Sequence, residues 1–138
     1  MLIDNSPMIR EMVQSVLESV GVRHFMTASD GRSALDMMPA FGPHLAFCDW
    51  EMEPMDGLDF VREVRKLPEW DNPFLPIIML TSHAEERWVL EARNAGVHEY
   101  LMKPAQPSMI LARVASIIDN PRPFLRTDSY FGPAYRGV

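Results

Sequence analysis

The stretch HLAFCDWEMEPMDG, residues 44–57, decides the fold predicted for this chain. An apolar run over residues 45–48 leads directly to Asp49, and Pro54 and Gly57 then break the chain into a loop. In an open α/β sheet, ligands bind beyond the carboxyl ends of the strands. The stretch therefore predicts a buried strand that presents the Asp49 carboxylate at a functional edge.

Three other apolar segments end in polar residues in the same way. These are Asp4 and Asn5 after residues 1–3, Thr81 after residues 76–80, and Lys103 after residues 100–102. Because the carboxyl ends of parallel strands meet at one edge of a sheet, we expect all of these side chains to converge on Asp49.

Segments with helical spacing of apolar residues lie between the predicted strands. We predict strands at residues 1–3, 22–28, 45–48, 76–80 and 97–102, and helices at 7–20, 33–38, 57–67, 85–95 and 107–118. Strands and helices alternate five times, which predicts a doubly wound α/β fold with a five-stranded parallel sheet and helices on both faces. In the last helix the inward residues are predicted to be Met109, Ile110, Val114, Ile117 and Ile118.

Composition excludes several classes of function. The 138 residues suffice for one domain, and the formal net charge of -6 without a Lys/Arg cluster argues against direct binding of nucleic acid. No apolar run approaches the roughly 20 residues of a membrane helix. A single cysteine cannot form an internal disulfide, and we therefore expect a cytoplasmic protein.

Residues 119–138 differ from the rest of the chain and are predicted to form an irregular tail after a domain at residues 1–118. The tail carries three prolines and four aromatic residues, Phe124, Tyr130, Phe131 and Tyr135, without helical spacing. So many aromatic residues are unusual in a solvated segment. Because the tail is slightly basic and the remainder is acidic, we expect it to return to the body of the molecule or to a second copy.

The order of an acidic pair, Asp49, Thr81 and Lys103-Pro104 resembles the receiver domain of two-component response regulators, the CheY-like family, over about residues 2–118. The resemblance extends to the spacing from Asp49 to Gly57, to residues 27–31, and to Ala95-Gly96 before the fifth strand. It implies a flavodoxin-like sheet with the strand order 2-1-3-4-5.

The resemblance also implies a phosphorelay function. Asp49 would accept a phosphoryl group from the phosphohistidine of a histidine kinase or a His-phosphotransfer protein. Mg²⁺ would be held by Asp4, Asn5, Asp49 and the backbone carbonyl of Glu51. Position 5 departs from the family pattern, which has a second acid there, and we expect weaker Mg²⁺ binding unless the Glu51 side chain turns inward. Asn5 also fits a simple role as a helix cap.

The remaining site residues follow from the same resemblance. Lys103 would pair with Asp49, Thr81 would donate its hydroxyl to the phosphoryl group, and Tyr100 would be the switch aromatic. Glu51 and His83 occupy positions that border the attacking water in dephosphorylation. Each residue also has an ordinary interpretation: Lys103 in a solvated loop, Thr81 as a helix cap, Tyr100 as a half-buried strand residue, and Glu51 and His83 at the surface.

We interpret the chain as a stand-alone phospho-acceptor switch rather than an enzyme. Its output would be altered binding to a downstream protein through the face of the fourth helix, fifth strand and fifth helix, which also allows a homodimer. One alternative, favoured by Asn5, is an interaction module that acts without phosphorylation. An aspartate-nucleophile phosphatase fits less well, because its nucleophile follows the first strand.

Overall fold

Five parallel strands form the central sheet, in the order β2-β1-β3-β4-β5. The computed structural model describes residues 1–135, apart from the side chain of Trp70. The strands are β1 Leu2–Ile3, β2 Thr27–Ala28, β3 Ala46–Cys48, β4 Ile77–Thr81 and β5 Glu99–Met102. The predicted doubly wound fold and its strand order are confirmed.

Five helices connect or follow these strands: α1 Pro7–Glu18, α2 Gly31–Phe41, α3 Gly57–Arg65, α4 Glu86–Ala95 and α5 Pro107–Asp119. Polar side chains cap three of them. Ser6, Asp30 and Asp56 each accept a hydrogen bond from a backbone N–H in the first turn of the following helix, which satisfies donors that have no partner inside the helix. No helix within residues 1–135 has the length and apolar character needed to cross a membrane.

The core consists of two apolar layers, one on each face of the sheet. Strand β4 shows the division, because its successive side chains point to opposite faces. Ile77 and Met79 join the layer that includes residues of α2, α3 and α4, whereas Ile78 and Leu80 join the layer beneath α1 and α5. All five residues of β4 are buried, as expected for a strand covered on both faces.

Some predicted boundaries were wrong. Strand β2 covers only residues 27 and 28, because the neighbouring β1 offers two residues for pairing. Helix α2 is longer than predicted and includes Pro39. In α5, Met109 and Ile118 are exposed by 44% and 71%, since this helix carries more apolar residues than one buried stripe can accommodate.

The tail, which we expected to be irregular, contains a two-stranded antiparallel hairpin of β6 Phe124–Arg126 and β7 Phe131–Pro133. The rings of Phe124 and Phe131 pack against Phe74, which precedes β4. The hairpin therefore contacts the amino-terminal end of the sheet, opposite Asp49. Residues 136–138 of the predicted tail lie outside the described residues, and the division of the chain at residues 118 and 119 stays a prediction.

Candidate functional site

Asp49 follows β3 directly and is only 7% exposed. Its Oδ1 accepts a hydrogen bond of 2.8 Å from the backbone N–H of Trp50. The loop after Asp49 folds back so closely that a Cβ at Gly57 would lie 1.9 Å from the Asp49 carbonyl oxygen. Glycine at position 57 is therefore required by the close approach that orients Asp49.

Lys103 joins two carboxylates that come from different strand ends. Its Nζ lies 2.9 Å from Asp4 Oδ2 and 3.4 Å from Asp49 Oδ2. Asp4 is buried after β1, and its second oxygen accepts a hydrogen bond from the backbone N–H of Ser6. The Lys103-Pro104 peptide bond is cis. The predicted convergence of the β1, β3 and β5 ends is thus present in the geometry.

The charge balance at this end of the sheet favours a cation. Burial raises the pKa of Asp49, and the nearby charge of Asp4 raises it further, while Lys103 and the Trp50 N–H oppose the shift. Two carboxylates and one ammonium leave one negative charge in excess.

The oxygen donors at the site are compatible with Mg²⁺. Within residues 1–135, no three His, Cys, Asp or Glu side chains are grouped so as to hold a metal ion, and a cation would therefore depend on Asp4, Asp49 and neutral oxygens. Mg²⁺ is commonly bound through one or two carboxylates and keeps several waters. Asn5 is exposed and lines the same cavity as Glu51, so its amide oxygen lies beside the loop that follows Asp49.

Thr81 and Tyr100 are linked through His83 rather than through Asp49. Thr81 ends β4, is buried, and accepts a weak 3.4 Å hydrogen bond from the His83 backbone N–H through its Oγ1. The Tyr100 hydroxyl donates a 2.6 Å hydrogen bond to the His83 carbonyl oxygen. Burial raises the pKa of Tyr100 to about 12, and its hydroxyl therefore acts as a neutral donor.

A cluster of aromatic rings surrounds the side chain of His83. Its ring stacks on Trp88 with 4.2 Å between centroids and an angle of 16°, and the edge of Trp50 approaches at 5.7 Å. His83 Nε2 lies 2.7 Å from Glu51 Oε1. Glu51 and His83, the two positions predicted to border the attacking water, therefore contact each other and join the loops after β3 and β4.

Two residues near the site were missed by the sequence analysis. Arg10 on α1 donates to the backbone carbonyl of Asp4, and Trp88 on α4 provides the stacking surface for His83. Arg10 lies in the first helix, only six residues after Asp4. This short separation in the sequence could have indicated their contact. No sequence signal identified Trp88, because its role depends on the approach of α4 to the loop after β4.

Comparison with known proteins agrees with this geometry. The profile of the family described as "Response regulator receiver domain" matches residues 1–115. Chemotaxis protein CheY1 of Helicobacter pylori is 30% identical over 121 residues, which cover 86% of this chain and 94% of the relative. Chemotaxis protein CheY-3 of Vibrio cholerae is 28% identical over 119 residues, or 86% of this chain and 90% of the relative.

Solved structures show the same similarity in three dimensions. Chemotaxis protein CheY4 of Vibrio cholerae superposes with a TM-score of 0.76 at 31% identity, covering 84% of this chain and 94% of that one. The family profile spans most of the chain, and the fold and strand order match those of the solved relatives. On this basis the chain belongs to the response regulator receiver domain family.

Proposed function

We propose that this receiver domain takes a phosphoryl group onto Asp49 from the phosphohistidine of a histidine kinase or a His-phosphotransfer protein. Its family acts in two-component signalling. The observation that carries the proposal is the contact of one ammonium, Lys103, with two buried carboxylates, Asp4 and Asp49, at the carboxyl end of the sheet. The proposed result of transfer is altered binding to a downstream protein.

In the proposed transfer, an Asp49 carboxylate oxygen forms the new P–O bond while the P–N bond of the donor breaks. The electron pair of that bond stays on the departing imidazole nitrogen. The Trp50 N–H fixes one Asp49 oxygen, and Lys103 is close enough to stay beside the phosphoryl oxygens after transfer. Catalysis of this kind depends on positioning and charge neutralisation.

The proposed cofactor is Mg²⁺, which receiver domains generally use in phosphorylation. Asp4, Asp49, Asn5 and the Glu51 carbonyl would hold it at the edge of the sheet. When bound, Mg²⁺ supplies positive charge to the phosphoryl oxygens. Because Asn5 is neutral, only two of these four proposed ligands, Asp4 and Asp49, are carboxylates.

The proposed switch connects Thr81 to Tyr100. Movement of Thr81 toward a phosphoryl group would disturb His83, whose backbone contacts both residues. The proposed binding surface is the face of α4, β5 and α5, which would also be the surface of a homodimer. The tail reaches this face, because Arg122 lies 3.6 Å from Glu99 on β5 and the Tyr135 ring lies 4.4 Å from the Arg93 guanidinium on α4.

Receiver domains are signalling switches rather than general catalysts, and the proposed chemistry of this chain is limited to its own phosphorylation and dephosphorylation. The proposed compartment is the cytoplasm. The alternative function is an interaction module that acts without phosphorylation, and the neutral Asn5 is the observation that favours it.

Labelling with a small phosphodonor tests the proposal. The protein would be incubated with phosphoramidate and Mg²⁺, and its intact mass measured over time. We expect a gain of one phosphoryl group in the wild type, and none in Asp49→Asn. Asp56→Asn is a matched control, since it changes an acid in the same loop while asparagine can still cap α3.

Each outcome separates one function from the others. Labelling that depends on Asp49 supports the switch. Absence of labelling in the wild type favours the phosphate-independent module, and labelling that persists in Asp49→Asn would contradict the assignment of the acceptor. Sustained consumption of phosphodonor without a lasting mass gain would indicate a phosphatase.

A further inference from the structure

We propose that the Glu51 side chain is an additional ligand for the divalent cation, which compensates for the neutral Asn5, and that His83 holds this carboxylate aside when no cation is bound. The inference rests on the cation-dependent function proposed above. It concerns the Glu51 carboxylate, whereas the family resemblance implies only the backbone carbonyl of that residue.

The charges at the site explain why Glu51 would change partners. Asp4, Asp49 and Lys103 together carry one negative charge in excess, which repels a third carboxylate. A bound dication reverses the excess to one positive charge, and Glu51 would then be attracted. A second acid at position 5 would remove this excess, but this chain has Asn5 there.

Glu51 is close in the chain to the proposed cation ligands. It lies two residues beyond Asp49, and it lines a cavity of about 640 Å³ together with Asn5. Its side chain is 71% exposed, and its carboxylate contacts His83 Nε2 among the described residues. An exposed side chain with one contact can change rotamer without repacking the core.

His83 is held far more firmly than Glu51. Its ring stacks on Trp88 and meets the edge of Trp50, and Tyr100 fixes its carbonyl oxygen. Separation of the 2.7 Å pair therefore requires Glu51 to move while His83 stays in place. His83 consequently competes with the cation for the Glu51 carboxylate.

Calorimetric titration with Mg²⁺, at one fixed pH and ionic strength, tests this competition without a readout of activity. We expect Glu51→Gln to weaken binding by about 10-fold, because a ligating charge next to a dication is lost. Glu53→Gln is the matched control. It removes the same charge from an exposed residue of the same loop and cavity, and we expect an effect below about 2-fold through screened solvent.

Two further variants test the roles of His83 and Asn5. His83→Phe keeps a ring against Trp88 but removes Nε2, and by releasing Glu51 it should tighten Mg²⁺ binding by about 3-fold, an order-of-magnitude value for the loss of one partly exposed polar contact. In an Asn5→Asp background, which already supplies the missing carboxylate, Glu51→Gln should cost less than about 2-fold.

The failures of this inference and of the proposed function are distinguishable. Equal effects of Glu51→Gln and Glu53→Gln, with Mg²⁺ binding still lost in Asp49→Asn, would overturn the role of Glu51 alone. If the wild type does not bind Mg²⁺, or if Asp49→Asn binds it unchanged, the cation site itself is wrong and the proposed function loses its cofactor.

Discussion

Each end of the sheet holds a cationic side chain, half-buried Lys103 at the carboxyl end and buried Arg65 at the amino end, and the two have different surroundings. At the carboxyl end, Lys103 contacts the carboxylates of Asp4 and Asp49. At the amino end, Arg65 contacts no carboxylate within 4 Å among residues 1–135. Its guanidinium donates to the carbonyl oxygens of Gly96 at 2.7 and 3.0 Å and of Pro73 at 2.9 Å, and it lies 5.2 Å from the Phe124 ring.

This difference separates a cation whose donors are satisfied by neutral acceptors from one that lies between two carboxylates. Burial lowers the pKa of Arg65 to about 10, so the residue stays charged at neutral pH while neutral acceptors satisfy its donors. At the other end two carboxylates remain close together, and the pKa of Asp49 is raised. Perturbed groups of this kind cluster at functional sites. Removal of charge should therefore destabilise the amino end and stabilise the carboxyl end.

The largest expected effect is at Arg65. Arg65→Met should lower the free energy of unfolding by about 3 kcal/mol, because it leaves the Gly96 and Pro73 carbonyl oxygens buried without donors. Urea unfolding measures the change. Arg62→Met on the same helix is the control. Arg62 is exposed with ion pairs of 3.5 and 3.9 Å, and its loss should cost less than about 0.5 kcal/mol.

An equal cost for Arg62→Met and Arg65→Met would show that the buried contacts of Arg65 contribute nothing specific. Under the proposed function, phosphodonor labelling of the folded Arg65→Met protein should still occur on Asp49, since Arg65 lies at the opposite end of the sheet.

The next effect is a pH dependence that arises from His98, which lies beside Arg65. Burial first, and then the charges of Arg65 and Arg122, lower the pKa of His98 from 6.5 to about 3. The unfolded chain therefore binds a proton below pH 6.5 that the folded protein excludes. Stability contributed by neutral His98 is present above pH 6.5 and is lost as the pH falls toward 3, at up to about 1.4 kcal/mol per pH unit.

Urea unfolding at pH 7 and pH 5 measures this loss, which should approach about 2 kcal/mol in the wild type. In His98→Gln the change in the free energy of unfolding between pH 7 and pH 5 should be smaller by that amount. This holds whatever the stability of the variant at pH 7. The exposed His24 provides the control, and His24→Gln should behave as the wild type does. An unchanged pH dependence in His98→Gln would mean that His98 is protonated in the folded protein.

Sequence reasoning identified the carboxyl end better than the amino end, for a physical reason. Asp4, Asp49 and Lys103 each follow an apolar strand, and parallel strands bring such positions together whatever the details of packing. Arg65 and Phe124 come together through contacts between α3, the end of α4 and a hairpin without periodic spacing. The stack of His83 on Trp88 was missed because it depends on how α4 approaches the loop after β4.

A smaller effect is expected at the hairpin that covers Arg65. Phe124 contacts the Arg65 guanidinium and the rings of Phe74, His98 and Phe131. Phe124→Leu keeps an apolar side chain but loses the aromatic contacts, which should cost about 1–1.5 kcal/mol. Leu125→Ala, at an exposed position on the same strand, should cost less than about 0.5 kcal/mol.

Amide hydrogen exchange locates that effect. Protection of the amides of residues 124–126 and of Phe131 and Gly132 in the wild type, reduced by Phe124→Leu alone, would support a docked hairpin. Random-coil exchange of these residues in the wild type would show that the hairpin does not cover Arg65 in solution.

The smallest effect has the opposite sign and is expected at Asp49. Because its folded pKa is raised above the ordinary value of 3.8 for an aspartate, the folded protein binds more protons than the unfolded chain between these two values. Stability therefore falls as the pH rises through that interval, and the cost of ionised Asp49 is complete above the folded pKa. Asp49→Asn removes this cost and can keep the hydrogen bond from the Trp50 N–H. The variant should gain less than about 1 kcal/mol at pH 7, and the gain should disappear as the pH approaches 3.8.

Urea unfolding at pH 7 and pH 4 tests the sign, with Asp36→Asn as the control because Asp36 is an exposed residue of α2. If Asp49→Asn is instead less stable at pH 7, Lys103 more than offsets the repulsion from Asp4, and the two ends of the sheet would not differ in the way described.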